Sequence, residues 1–224
     1  MCDFHDHTHA HGGLEPLDED EYVLDTPIVR RFVQAVQREI ADAATREEAI
    51  AAIEPMFLEL LRNPEWLPVE YQQDAPASGM GGGIGQWLLY RAADRSLCLF
   101  SLVVPPGSKT PVHDHLAWGM IGLYRGDQDE EFYAPRNGRL DLLRRRPLER
   151  GDWYALLPPA DDIHCVRTTS DVTSVSIHLL ASDTGCTVRH VYDEETGAAT
   201  DFRSGYANAE CSEGSQVGVT DECA

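Results

Sequence analysis

The stretch Pro111-Val112-His113-Asp114-His115-Leu116-Ala117-Trp118-Gly119 decides how this chain is read. Alternate side chains of a β-strand share a face, so His113 and His115 can meet at one spot with Cα atoms about 6.6–7 Å apart. A third imidazole, His164, lies far downstream and must come from a strand distant in sequence but adjacent in space. Gly107 and Gly126 bracket the histidine pair as turn residues, and Gly151 and Pro158 precede His164. A His-x-His pair alone is weak evidence. With these spacings and β-rich surroundings, three neutral imidazoles offered to one metal ion become the preferred reading. Asp114 points to the opposite face and is assigned a structural or supporting role, not a ligand role.

Outward from that stretch, 224 residues suffice for one domain with a buried core. The net charge of −20 is concentrated at the ends: residues 1–25 carry eight acids and no Lys or Arg, and residues 193–224 carry eight acids and one basic residue, Arg203. The body between them is close to neutral for its size. Acidic ends without apolar periodicity are expected to be disordered, here as a His-rich tail over 1–25 and a second tail over 209–224. His5, His7, His9 and His11 are read as part of the first tail rather than as a metal-delivery site, because chelation by a floppy segment costs chain entropy. The charge argues against nucleic acid or an anionic membrane as partner. No apolar run reaches the roughly 20 residues needed to span a bilayer, and the N-terminus has neither the basic start nor the apolar core of a secretory signal. Six cysteines without close spacing are expected in a reducing cytoplasm.

Thr26-Pro27 starts a helix, with a hydroxyl cap and proline at the first helical position. Ile28, Phe32, Val36 and Ile40 then mark its apolar face. Thr45-Arg46-Glu47-Glu48 is a capping box opening a second helix. Pro55 is expected to kink or restart it, and Asn63-Pro64 to end it. The glycines from Gly79 to Gly85 form a flexible connector. Short strands are expected near Leu97–Val104, Val112–Arg125, Glu130–Ala134, Leu140–Arg145, Trp153–Leu157, His164–Thr168, Ser174–Leu180 and Thr187–Tyr192, separated by turn signals such as Pro105-Pro106-Gly107. Strands of this length and spacing predict a mainly β, antiparallel jelly-roll barrel occupying 26–208, with a small helical segment over 27–62.

The glycine turn, His-x-His strand and closing glycine resemble the first motif of a cupin, whose barrel is a double-stranded β-helix. Where many cupins place a glutamate ligand, this chain has Gly119 and Met120. A longer set of segments resembles the cysteine dioxygenase family of thiol dioxygenases, especially its bacterial 3-mercaptopropionate-type branch. These are Pro111 to Gly119, Gly122 to Gly126, Asp162-Ile163-His164, Ser176-Ile177-His178, Arg189 to Asp193 and Phe202 to Tyr206. The likeness covers roughly 27–208. It implies one Fe(II) per chain held by His113, His115 and His164, with a small mercapto-carboxylate thiol and O₂ as substrates and a sulfinate as product.

The resemblance also implies that Ser176 and His178 border the metal. In the family a tyrosine follows two residues later; here that position is Leu180, so the phenol is missing. The position of the family's crosslinking cysteine is Gly119, so no cysteine–tyrosine crosslink can form. Arg189 is the candidate grip for the substrate carboxylate, since guanidinium offers two parallel donors. Gln86 resembles the branch's substrate-contacting glutamine, with Arg91 as the nearby fallback. Two other classes of function remain open at this point: a three-histidine oxygenase that cleaves a C–C bond, and a non-catalytic metal-binding cupin.

Overall fold

A computed structural model describes residues 14–75, 79–136 and 138–211. The chain lays down β1 (Glu21–Tyr22), α1 (Pro27–Asp42), α2 (Arg46–Arg62), a 3-10 turn (Val69–Gln72), β2 (Gly85–Arg91), β3 (Cys98–Val104), β4 (Val112–His113), β5 (Gly119–Arg125), β6 (Gln128–Arg136), β7 (Arg139–Leu148), β8 (Trp153–Leu156), β9 (His164–Thr168), β10 (Ser174–Leu180), β11 (Arg189–Tyr192) and β12 (Ala199–Phe202). They form two sheets, ordered β1-β2-β3-β10-β5-β8 and β12-β11-β4-β9-β6-β7. Every strand pairing is antiparallel. The inner four strands, β3-β10-β5-β8 facing β4-β9-β6-β7, have the order of a jelly roll, so the expected double-stranded β-helix is the fold. Among the described residues, no helix is long and apolar enough to cross a membrane.

Alternation along the strands sorts side chains into two apolar layers. Leu88, Phe100, Leu102, Ile121, Leu123, Phe132 and Val166 fill the space between the sheets. Leu89, Leu99, Val103, Met120, Ile177 and Leu179 face outward and are covered by the helices through Phe32, Val36, Ile53, Phe57 and Leu61. α2 approaches β5 at Gly122, where a Cβ would press against Leu61 and lie 2.9 Å from Phe57. Thr26 caps α1 by accepting from Val29 N (3.3 Å), as its sequence predicts. At α2, Thr45 accepts from Glu48 N (3.1 Å) and Glu48 accepts in return from Ala44 N (2.9 Å).

Several expectations are corrected. Pro55 does not restart α2, which runs unbroken to Arg62 because Ile50, Ile53, Phe57, Leu60 and Leu61 are all buried along it. The predicted strand Val112–Arg125 is two, β4 and β5, with Leu116 in the left-handed region (φ 56°) between them. β2 and β12 were not placed from the sequence. The first tail does not extend to residue 25: Leu17 N donates to Ala93 O, and Asp20 accepts from Ala93 N, Tyr90 Oη and Gln37 Nε2. Nor does the body stop at residue 208, because Arg91 donates to Glu210 O and Cys211 is disulfide-bonded to Cys186. Cys98 and Cys165, inside β3 and β9, are free and buried. His5, His7, His9 and His11, together with residues 212–224, lie outside the described residues.

Candidate metal centre

His113 ends β4 and is paired across the ladder with His164, the first residue of β9. His115 follows two residues later, past the end of its strand. Its position is set by Asp162, whose carboxylate accepts from the amides of His115 (2.9 Å) and Leu116 (3.1 Å) and fixes the turn. The three rings lie with centroids 4.8–5.0 Å apart, and their candidate ligand nitrogens all fall within 4.8 Å of one another. All three are buried. No fourth acidic ligand joins this group among the described residues.

Hydrogen bonds set the tautomers. His113 Nδ1 is 2.9 Å from Pro111 O, which can only accept, so Nδ1 carries the proton and Nε2 keeps its lone pair. His164 Nδ1 lies 2.8 Å from Glu130 Oε2 and 3.3 Å from Tyr154 Oη. Its Nε2 is buried with no hydrogen-bond partner, a costly state unless something binds there. Burial, reinforced by the field of Arg189 and the neighbouring imidazoles, holds His113 and His115 well below the usual histidine pKa. The depressed pKa values of His113 and His115, the orphaned Nε2 of His164 and the acceptors on Nδ1 of His113 and His164 fit a divalent metal.

The other candidates are distributed around this cluster. Ser176 Oγ is 3.0 Å from His178 Nε2, and the His178 ring lies 6.3 Å from that of His115. Phe100 stacks on His178 at 4.6 Å, and burial pushes the His178 pKa well down. Gln86 shares a cross-strand row with Leu102 and Ser176, which turns it to the barrel interior. Its Nε2 is buried without a partner. Arg189 is not a surface arginine: it is 1 % exposed and donates to Asp114 O (2.7 Å), Thr184 O (3.3 Å) and Ser204 Oγ (2.8 Å). Burial lowers its pKa to about 10, still protonated at neutral pH. Arg91 is not at the centre; it pairs with Glu21 and Asp183 instead. Leu180 is buried in the inter-sheet core, and a Cβ at Gly119 would collide with Leu179 O, which excludes a cysteine there without backbone movement.

Glu130 and Tyr154 were missed from the sequence. The available signal was Gln128-x-Glu130-x-Phe132, an acid on the buried side of a strand, where a carboxylate needs a partner. Asp114 takes the structural role expected of it, accepting from His190 N (2.8 Å), His190 Nδ1 (2.7 Å) and Tyr192 Oη (2.8 Å) and so tying β11 to β4.

No family model matches the chain. Among solved structures, peruvianin-I, a cysteine peptidase from Thevetia peruviana latex, is 19% identical over 55% of this chain and 78% of its own, with a TM-score of 0.39. A recombinant oxalate oxidase in complex with glycolate is 14% identical over 39% of this chain and 43% of its own (TM-score 0.33). Oxalate decarboxylase from Bacillus subtilis at pH 4.6 is 19% identical over 40% of this chain and 22% of its own (TM-score 0.33). The chain thus spans less than half the length of these two oxalate enzymes. The fold rests on the strand order given above, and the class it defines with its site is a jelly roll carrying a buried three-histidine cluster.

Proposed function

We propose that the protein is a non-haem iron thiol dioxygenase that converts a small mercapto-carboxylate to its sulfinate. The observation that carries this reading is a cluster of three buried imidazoles that no acidic ligand joins among the described residues, with burial, reinforced by the Arg189 charge, holding the pKa of His113, His115 and His178 well down. The reaction balances without a further reductant: a thiol and O₂ give a sulfinate and a proton, both oxygen atoms passing to sulfur. A bound Fe(II) would supply a redox-active Lewis acid able to engage a thiolate and O₂ together. The chain supplies the rest. A free thiol with a pKa near 8.5 is mostly protonated at neutral pH, so the cationic surroundings favour its loss of a proton. Arg189 has five N–H donors, three of them used within the protein, leaving two for a carboxylate. Gln86 offers an unused buried donor, and Ser176–His178 forms a polar edge held by Phe100. Fixing both ends of a short substrate contributes through positioning.

A second reading, cleavage of a C–C bond in a diketone, is favoured by Leu180, which leaves the end of the Ser176–His178 row apolar where the resembling family has a phenol. One experiment separates the two. Protein loaded with Fe(II) anaerobically is given a panel of thiols and diketones while O₂ uptake and product mass are followed. The proposal expects one O₂ consumed per sulfinate formed from a mercapto-acid. Cleaved diketone fragments would install the second reading. Metal binding with no turnover of any substrate would indicate a binding protein.

A further inference from the structure

The C-terminal segment after β12 is bound into the body by contacts that converge on the site. Ser204 accepts from Arg189, and Gly205 N donates to Gly185 O (2.9 Å). Tyr206 lies edge-on to Phe100 at 6.1 Å and accepts from Gly185 N (3.1 Å) while donating to the buried Asp183 (2.8 Å). Ala207 N donates to Gln86 O, and the Asn208 side chain makes both a donor and an acceptor bond to Leu88, so this strap continues the edge of β2 beyond β1. It touches the segments that present Arg189, Gln86 and Phe100. Its end is fixed by one covalent bond, Cys186–Cys211, spanning 25 residues that include β11 and β12.

We propose that the Cys186–Cys211 disulfide is a thiol-reactive latch on this strap, opened by low-molecular-weight thiols that form a mixed disulfide at Cys211. The two sulfurs are unequal. Cys186 is fully buried, whereas Cys211 is only half-buried, so an incoming thiolate reaches Cys211 first. The attack forms a bond to Cys211 Sγ and breaks the S–S bond, and the electron pair leaves on Cys186 Sγ. Arg91 Nη1 stands 3.7 Å from that sulfur, where a guanidinium stabilises a departing thiolate. A second thiolate then attacks the small thiol's sulfur in the mixed disulfide, and the electron pair leaves on Cys211 Sγ. Overall, two thiols become one small disulfide and the protein gains two thiols. Once released, the strap is held to the body by the hydrogen bonds of Ser204 through Glu210 and the Tyr206 ring contact, with no covalent tie at its end. The latch does not depend on which reaction the centre performs, and its test uses no turnover.

Oxidised full-length protein is exposed to graded 2-mercaptoethanol, quenched with acid, alkylated and mapped by peptide mass, with hydrogen exchange measured in parallel. The expected result is a mercaptoethanol adduct on Cys211 and an alkylated Cys186, at concentrations that leave Cys98 and Cys165 unmodified; burial pushes both of those thiols up to about 12. Exchange at the amides of Gly205 and Ala207 should accelerate about tenfold or more, with β3 and β10 unchanged. Cys211→Ser should show the same fast exchange without added thiol. An adduct on Cys186 instead, modification of Cys98 and Cys165 together with Cys186 and Cys211, or unchanged strap exchange after reduction of the wild-type protein would overturn the proposal.

Discussion

Arg189 shows how far a single residue could be read in advance. Its type and its place after Ser176–His178 make it the candidate for a carboxylate grip, but its burial was not legible, because its partners Asp114, Thr184 and Ser204 approach from three different segments. A charge-assisted hydrogen bond contributes roughly 1.5–3 kcal/mol, and an ammonium cannot reproduce a two-donor fork. Arg189→Lys and Arg189→Ala should therefore both lower kcat/KM for a mercapto-acid by about tenfold to several-hundredfold. Metal content should be retained, and a neutral thiol should lose much less. Steady-state kinetics with an acid and its neutral analogue checks this. Equal losses for both would reduce Arg189 to a brace for Asp114 and Ser204.

Among elements, β9 and β10 have the bounds the sequence predicts, because alternation and turn residues bound both strands. The break between β4 and β5 was hidden, since the left-handed Leu116 is stabilised by Asp162, 46 residues away in the chain. β2 was obscured by the preceding glycines and β12 by an acidic, weakly apolar stretch. That hidden break makes Asp162 a positioning residue for His115. Asp162→Ala leaves the buried His115 amide without its acceptor, at a cost of about 1–3 kcal/mol. For a chain of this size that lowers Tm by roughly 2–4 °C per kcal/mol. Metal affinity should fall about 10–100-fold as well, as for other groups that orient ligands. Calorimetric melting and a metal-competition titration give the two readouts. A lower Tm with unchanged metal affinity would mean that the turn does not set the ligand.

For the whole molecule, the buried histidines link stability to pH. His113, His115 and His178 have folded pKa values depressed well below the ordinary value near 6.5, with burial the leading cause. As pH falls through 6.5, the unfolded chain takes up protons that the folded metal-free protein does not, so stability present above that pH is lost on acidification. Each such group contributes a slope of up to about 1.4 kcal/mol per pH unit. Metal-free protein should thus melt progressively lower from pH 7 to pH 5, and His178→Gln should flatten the decline. A flat melting profile over that range would contradict the neutral, buried state of these rings.

The order in which the chain is synthesised has its own consequence. Glu130, His113, His115 and His164 all precede Ser176, whereas the hydroxyl that seats Arg189 belongs to Ser204, on a segment pinned as late as Cys211. The imidazole cluster therefore draws on residues made earlier than the one that braces Arg189. Cutting the chain before Ser204 would thus strip the brace from Arg189 while every residue of the imidazole cluster stays in the chain.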